Sequence, residues 1–213
     1  MLSLLIACVE LLFLINLLIF AEKNKLNIIA ELLIFNLMLY QILEFFICRT
    51  GTGNSWIIYV AFSTISFLPP LALLFVLNVK GVHHKLLKLI FLPPIFFTIF
   101  YLFYLNDFHL IECNIFYSVY KYPLGDFFGL FYYIPVLISI VLLIIEVIKN
   151  KRVELVVVLF GFLIMTFPVV LGFILKLFGD SSLIAAIVSV MCKSAFLFAF
   201  SIFYFAMFNK KNA

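Results

Sequence analysis

Four side chains are out of place in the apolar runs that carry them: Glu10, Gln41, Glu44 and Lys193. A polar or ionisable group deep in hydrocarbon costs several kcal/mol unless it is paired, so by default it marks a site. At about 1.5 Å per helical residue, Lys193 lies roughly 16 Å into its run and Glu10 roughly 12 Å into its own. Glu44 is about one turn from the end of its run, with Gln41 nearly a turn deeper on the same face. If the apolar runs form a sequential ring of helices, the first, second and last are neighbours. All four side chains then share one sector as a candidate ligand-binding set. Two readings stay open. The cluster is a polar pocket open to the outside, or it is a buried Lys–Glu bridge locking the last helix to the first or second. The readings are compatible, because a bridge can be exchanged for ligand contacts. Ser63, Thr64 and Ser66 lie at similar depth, and such hydroxyls are expected to bond the carbonyls of the preceding turn. Lys176 lies near a run end, where it can snorkel, and Glu31 and Glu146 lie near run ends within reach of loop lysines; all three read as interfacial.

The elements that must hold these groups follow from composition. The chain has 213 residues, of which 67% are hydrophobic and 11% charged. A soluble domain is about a quarter charged, so lipid has to be the solvent for most of this exterior. The chain therefore reads as a single all-α domain, 1–213, a polytopic protein of the cell membrane. Seven runs reach the roughly 20 residues that cross a bilayer: Leu2–Ala21, Leu26–Cys48, Ser55–Asn78, Lys85–Leu105, Leu124–Lys149, Val153–Phe178 and Ser182–Phe208. One set of run ends carries Lys23, Lys25, Lys80, Lys85, Lys88, Lys149, Lys151, Arg152, Lys210 and Lys211. The opposite ends carry only Arg49, Lys121 and Lys176, beside Asp107, Glu112, Asp126 and Asp180. The positive-inside rule makes the first set cytoplasmic, which places the N-terminus outside. The first run lacks the basic region and small-residue cleavage site of a signal peptide and reads as a span.

The net charge of +4 resides in these short loops. It orients the chain and forms no nucleic-acid-binding stripe; the bilayer is the expected partner. The 29 Phe residues are given no functional weight, since such a bias can reflect base composition alone. Phe-Leu-Pro-Pro occurs twice, at 67–70 and 91–94, and each proline pair is expected to kink its helix and free carbonyls. Segment 106–123 is rich in β-branched and aromatic residues and predicts a short hairpin that could cap the pocket. Cys48 and Cys113 would both face an oxidising compartment, where a disulfide would pin that lid, although two cysteines alone do not specify a bond. Cys8 and Cys192 read as small packing residues.

Catalytic chemistries find little material. His83 and His84 are placed at one membrane face and His109 at the other, so they cannot meet at one zinc ion. That disfavours zinc hydrolases of the seven-helix ceramidase and adiponectin-receptor type. No Gly-x-Ser-x-Gly, His-Glu-x-x-His or P-loop string occurs. Lys193 sits where microbial rhodopsins hold retinal, but the third run has no acid to serve as counter-ion and Trp56 is the only tryptophan. No inverted repeat with matching broken helices suggests a transporter. No metal or cofactor is implied.

The order of motifs resembles the seven-helix N-terminal sensor region of bacterial histidine kinases, from the second run onward. The carriers are Tyr40-Gln41-Ile42-Leu43-Glu44, the Pro69-Pro70 step before an apolar stretch, Leu92-Pro93-Pro94, the aromatic entry Gly129-Leu130-Phe131-Tyr132-Tyr133, and Thr166-Phe167-Pro168. A looser resemblance is to small standalone seven-helix membrane proteins with a Gln-x-x-Glu step. The resemblance implies ligand sensing from outside or within the membrane, with helix movement passed to a cytoplasmic output. The chain closes soon after its last run, so it is expected to act without an attached output domain, through a separate cytoplasmic signalling protein. The alternative expectation is an intramembrane enzyme or transporter of small lipidic substrates using Lys193 and Glu44, and a minor one is a retinal-binding opsin through Lys193.

Overall fold

In the computed structural model the described residues are 2–50, 54–82, 85–113, 118–177 and 184–209. They are mostly helical. Helices α1 (Leu2–Phe20), α2 (Lys25–Thr50), α3 (Ser55–Ser66), α4 (Leu68–Val79), α5 (Leu92–Phe103), α6 (Gly125–Asn150), α7 (Val153–Leu177) and α8 (Ile184–Phe208) surround one core. Strands β1 (His109–Cys113) and β2 (Ser118–Lys121) form an antiparallel hairpin between α5 and α6. Among the described residues, five segments are long and apolar enough to cross a membrane: Leu2–Phe20, Lys25–Arg49, Ser55–Val79, Gly125–Asn150 and Val153–Gly172. Counting only the described residues, Leu87–Phe103 and Lys193–Phe208 are shorter apolar stretches. Large apolar side chains point outward around the bundle, among them Leu5, Phe20, Phe103, Leu137, Ile148 and Phe160. That surface suits hydrocarbon and would aggregate in water.

Local chemistry sets the boundaries. Asn24 Oδ1 accepts the backbone N–H of Asn27 at 2.9 Å at the start of α2, and Asn54 Oδ1 accepts that of Trp56 at 3.1 Å at the start of α3. Each side chain satisfies a donor that the first helical turn leaves unpaired. Gly81 ends α4 with φ +73°, sending its N–H to Asn78 O, while the N–H of Val82 returns to Leu77 O. Glycine carries that left-handed cap without a Cβ clash.

The proline pairs correct an expectation. They open helices instead of kinking them. The Ser55–Val79 segment breaks only at Phe67, and Pro69 and Pro70 occupy the first turn of α4, where no N–H is needed. The N–H of Phe67 turns back to the carbonyls of Ile65 and Thr64, so carbonyls near the break are satisfied locally. Likewise a 3-10 stretch over Lys85–Phe91 hands over to α5 at Leu92, just before Pro93 and Pro94. Pro135 and Pro168 lie inside α6 and α7, which run on through them.

α1, α2 and α8 pack mutually, as the ring arrangement requires, and α7 lies along α8 in the most extensive contact of the bundle. That contact is close at Gly161. A Cβ added there would stand 2.7 Å from Ser201 Cβ and 3.3 Å from the backbone Cα of Phe198. Absence of a side chain is what lets the two backbones approach. α4 packs on α6, and α5 packs on α3. Phe97 on α5 also meets Phe128 and Phe131 of α6, with ring centroids 5.4 and 5.2 Å apart.

Two smaller expectations need correction. Cys8 is exposed on the outward side of α1 and fills no packing gap. Glu146 is buried, and its partner is the Asn150 side chain one turn on, not a loop lysine. Glu31 does pair with Lys23, at 3.0 Å. Thr64 and Ser66 bond the carbonyls of Val60 and Phe62 at 2.8 and 2.7 Å, as expected of hydroxyls in apolar helices, whereas the Ser63 hydroxyl, expected to do the same, has no hydrogen-bond partner among the described residues. His83 and His84, placed at one membrane face by the sequence, lie outside the described residues, as do the side chains of Lys176 and Cys192.

Candidate functional site

The four sequence-selected residues do come together on α1, α2 and α8. Gln41 and Glu44 share a face of α2 because they are three residues apart. Glu10 and Ser3, two turns apart, share a face of α1. Glu10 and Gln41 are fully enclosed, and Glu44 is 2% exposed. Lys193 on α8 reaches across to this face with its side chain 10% exposed. Its ammonium forms an ion pair with Glu44 Oε2 and donates to Ser3 Oγ at 2.7 Å and Gln41 Oε1 at 3.3 Å. An ammonium has three N–H donors, and three acceptors meet them.

Glu44 is equally well served. Ser3 Oγ donates to Oε2 at 3.2 Å, and Ser118 Oγ donates to Oε1 at 2.9 Å. Ser118 belongs to β2, so the hairpin is hydrogen-bonded to the same carboxylate that holds Lys193. The Ser118 hydroxyl is also bonded to that of Tyr120 at 2.9 Å. A disulfide joins Cys48, near the end of α2, to Cys113 of β1, with Cα atoms 5.7 Å apart. The hairpin is thus fastened to α2 twice, covalently at one strand and by a charge-assisted hydrogen bond at the other. The turn that joins the strands lies outside the described residues.

Glu10 stands apart from this satisfied network. Lys193 is near enough to act on it electrostatically. Yet neither carboxylate oxygen has a hydrogen-bond partner among the described residues. A buried polar group left unsatisfied costs about 1–3 kcal/mol. Glu10→Leu is therefore expected to raise the unfolding midpoint of the purified protein in detergent, by an amount worth about that much. A fall would show that the bundle depends on this carboxylate.

Under the hairpin and beside the ion pair lies a cavity of about 190 Å³. Seven elements wall it. Tyr40 comes from α2, Phe62 and Ile65 from α3, Leu68 from α4, Ser118 and Tyr120 from β2, Phe128 and Tyr132 from α6, Met165 from α7, and Met191 from α8. Ser118 is common to the cavity wall and the Glu44 network. Phe62 is the hub of the aromatic side. Its ring centroid lies 4.4 Å from that of Tyr122, 5.3 Å from Phe108, 5.6 Å from Tyr120 and 5.8 Å from Phe128. Edge-to-face and tilted contacts of this kind hold rings at fixed angles, which stiffens the wall.

Sequence reasoning found the charged cluster but passed over the cavity. Ser118 carried no signal by itself. Ser3 did, since it lies seven residues before Glu10 on the same helical face. Only the phenylalanine rings are set aside there as compositional bias, and nothing local brings them together with the tyrosines. Their convergence depends on which faces of α3 and α6 meet the hairpin, and no local pattern states that. No family model matches the chain, and no curated protein or solved structure is similar to it.

Proposed function

We propose that the chain is a seven-span sensor of the cell membrane, with its N-terminus outside, and that it binds a ligand in the cavity beneath the β1–β2 hairpin. The observation that carries this reading is the fastening of the roof. Ser118 both lines the cavity and bonds Glu44, and Glu44 holds Lys193 on α8. An occupant that displaces Ser118 would alter the packing of α2 against α8. A ligand that contacts two packings differently shifts their populations, and the shift is felt at the far ends of the helices. The motif order shared with the histidine-kinase sensor region supports the same reading.

Two features support seven spans. The 3-10 stretch and α5 together rise about 32 Å, enough for the hydrocarbon core, because a 3-10 helix climbs about 2 Å per residue. α8 at 25 residues is also long enough. The disulfide at the hairpin end fits an oxidising outside, and the lysine-rich ends fit the cytoplasm. A cysteine introduced at Lys121 is expected to react with an impermeant maleimide on intact cells. One at Lys151 is expected to react only after permeabilisation. The reverse pattern overturns the orientation.

The sensor reading is tested by spin labels at Ile148 on α6 and Phe208 on α8, with Cys8 and Cys192 replaced by serine. Addition of a small apolar probe is expected to shift their distance distribution in nanodiscs. An unchanged distribution with the probe bound would leave a binding protein without transmission. Transport, the second reading, demands faster probe exchange across protein-containing vesicles than across bare ones. An opsin draws less support, because Lys193 spends all three of its N–H donors within the bundle.

A further inference from the structure

The cavity beneath the hairpin has a chemistry that restricts its occupant, and the inference rests on the sensor reading of this site. Its wall includes seven aromatic rings, from Tyr40, Phe62, Tyr120, Tyr122, Phe128, Tyr132 and Tyr133, and two thioethers, from Met165 and Met191. No charged side chain lines it among the described residues. Glu44, which wall residue Ser118 bonds, and its partner Lys193 are consumed by each other, by Ser3, by Gln41 and by Ser118. A charged ligand would leave water for a site that offers no counter-ion, at a cost its apolar contacts would have to repay. A polar but neutral group fares better. Tyrosine and serine hydroxyls each accept as well as donate, so a hydroxyl that already bonds a neighbour keeps capacity for one more partner. The volume of about 190 Å³ suits a body of one ring with a short substituent.

We propose that the site takes a small uncharged ligand with an aromatic or compact apolar body and a single hydroxyl or carbonyl, and that it excludes cations and anions of the same shape. The rings stack on the body while the hydroxyl-bearing side receives the polar group. Gly129 is the position that tests this. It lines the cavity, and a Cβ there would meet only the ring of Tyr133, at an ordinary 3.8 Å. Gly129→Leu therefore fits the backbone of α6, improves its helix propensity and projects into the cavity space.

The experiment uses the full chain in phosphatidylcholine nanodiscs at pH 7, with three matched probes read by fluorine NMR. These are 4-fluorobenzyl alcohol, which is neutral, 4-fluorobenzylamine, a cation, and 4-fluorobenzoate, an anion. Empty nanodiscs correct for partition into lipid. The expected result is saturable binding of the alcohol, at least tenfold weaker binding of both ions, and loss of the alcohol signal in Gly129→Leu with no fall in melting midpoint. Should that variant melt early, Met165→Trp fills the same space from α7. An ion that binds as tightly as the alcohol, and is lost in the same variants, overturns the ligand class while the cavity remains a binding site. Alcohol binding that survives both variants lies elsewhere and overturns the assignment. Failure of all three probes to bind saturably overturns the inference and removes the ligand reading of the cavity with it.

Discussion

Lys193→Met is expected to cost the bundle about 3–5 kcal/mol, seen as a large fall in unfolding midpoint or as failure to purify as a monodisperse species. Glu44 sets the size of the effect. Its two oxygens take bonds from Lys193, Ser3 and Ser118, and its side chain is 2% exposed. Removing the ammonium leaves a carboxylate enclosed among apolar helices with only two neutral hydroxyls to answer it. Glu44→Leu alone should be comparably damaging, because it strands Lys193. The double variant Lys193→Met/Glu44→Leu should recover most of the loss, since replacing a buried pair with apolar residues of similar size is often close to neutral. The double variant should nevertheless free the hairpin. Ser118 then has no carboxylate to donate to, and hydrogen exchange over Ser118–Lys121 should quicken while the helices stay protected. Single variants as stable as the parent would show that the pair contributes little. Unchanged exchange in the double variant would show that the disulfide alone holds the roof.

The second large effect belongs to Gly161. Gly161→Ala is expected to cost about 1–3 kcal/mol and Gly161→Val more, measured as loss of unfolding midpoint in detergent. The added Cβ falls on the Ser201 side chain and close to the Phe198 backbone, so α7 and α8 must separate. Phe162 and Phe198, packed edge to face with centroids 4.7 Å apart, would lose contact as they do. Ser201 lies nearest, so Gly161→Ala/Ser201→Gly should restore part of the stability. The residual deficit reports the 3.3 Å approach to the Phe198 Cα, which no side-chain change relieves. An alanine variant with parental stability would show that the two helices tolerate separation.

How far the residues alone lead can be judged at particular positions. Lys193, Glu44 and Gln41 are legible because charge and amide in an apolar run violate the strongest constraint a membrane imposes. Their mutual contact needed only the assumption that the first, second and last helices are neighbours. The hairpin is legible from its β-branched and aromatic residues, and its bond to Cys48 is suggested though not specified. Glu10 was placed in the right sector, but its lack of a hydrogen-bond partner depends on rotamers and on the depth of α1 relative to α8. The proline pairs were read by their usual effect inside a helix, whereas the chain places them where helices begin. The cavity was not legible, because it is a space between seven elements and its shape belongs to none of them.

The break at Phe67 gives the cavity a mechanical meaning. Ile65, just before it, and Leu68, just after it, both touch the cavity wall. The segment from Ser55 to Val79 is therefore a jointed rod whose joint sits at the place an occupant would press. One arm carries Phe62 into the ring cluster under the hairpin. The other packs on α6 and ends near Lys80. A rod that is stiff throughout moves as a whole or not at all. A rod that bent at the cavity would convert a push of less than an ångström into an angular displacement that grows along α4, so the lysine-bearing end would travel farther than anything at the site itself, carrying the α6 and α2 contacts with it.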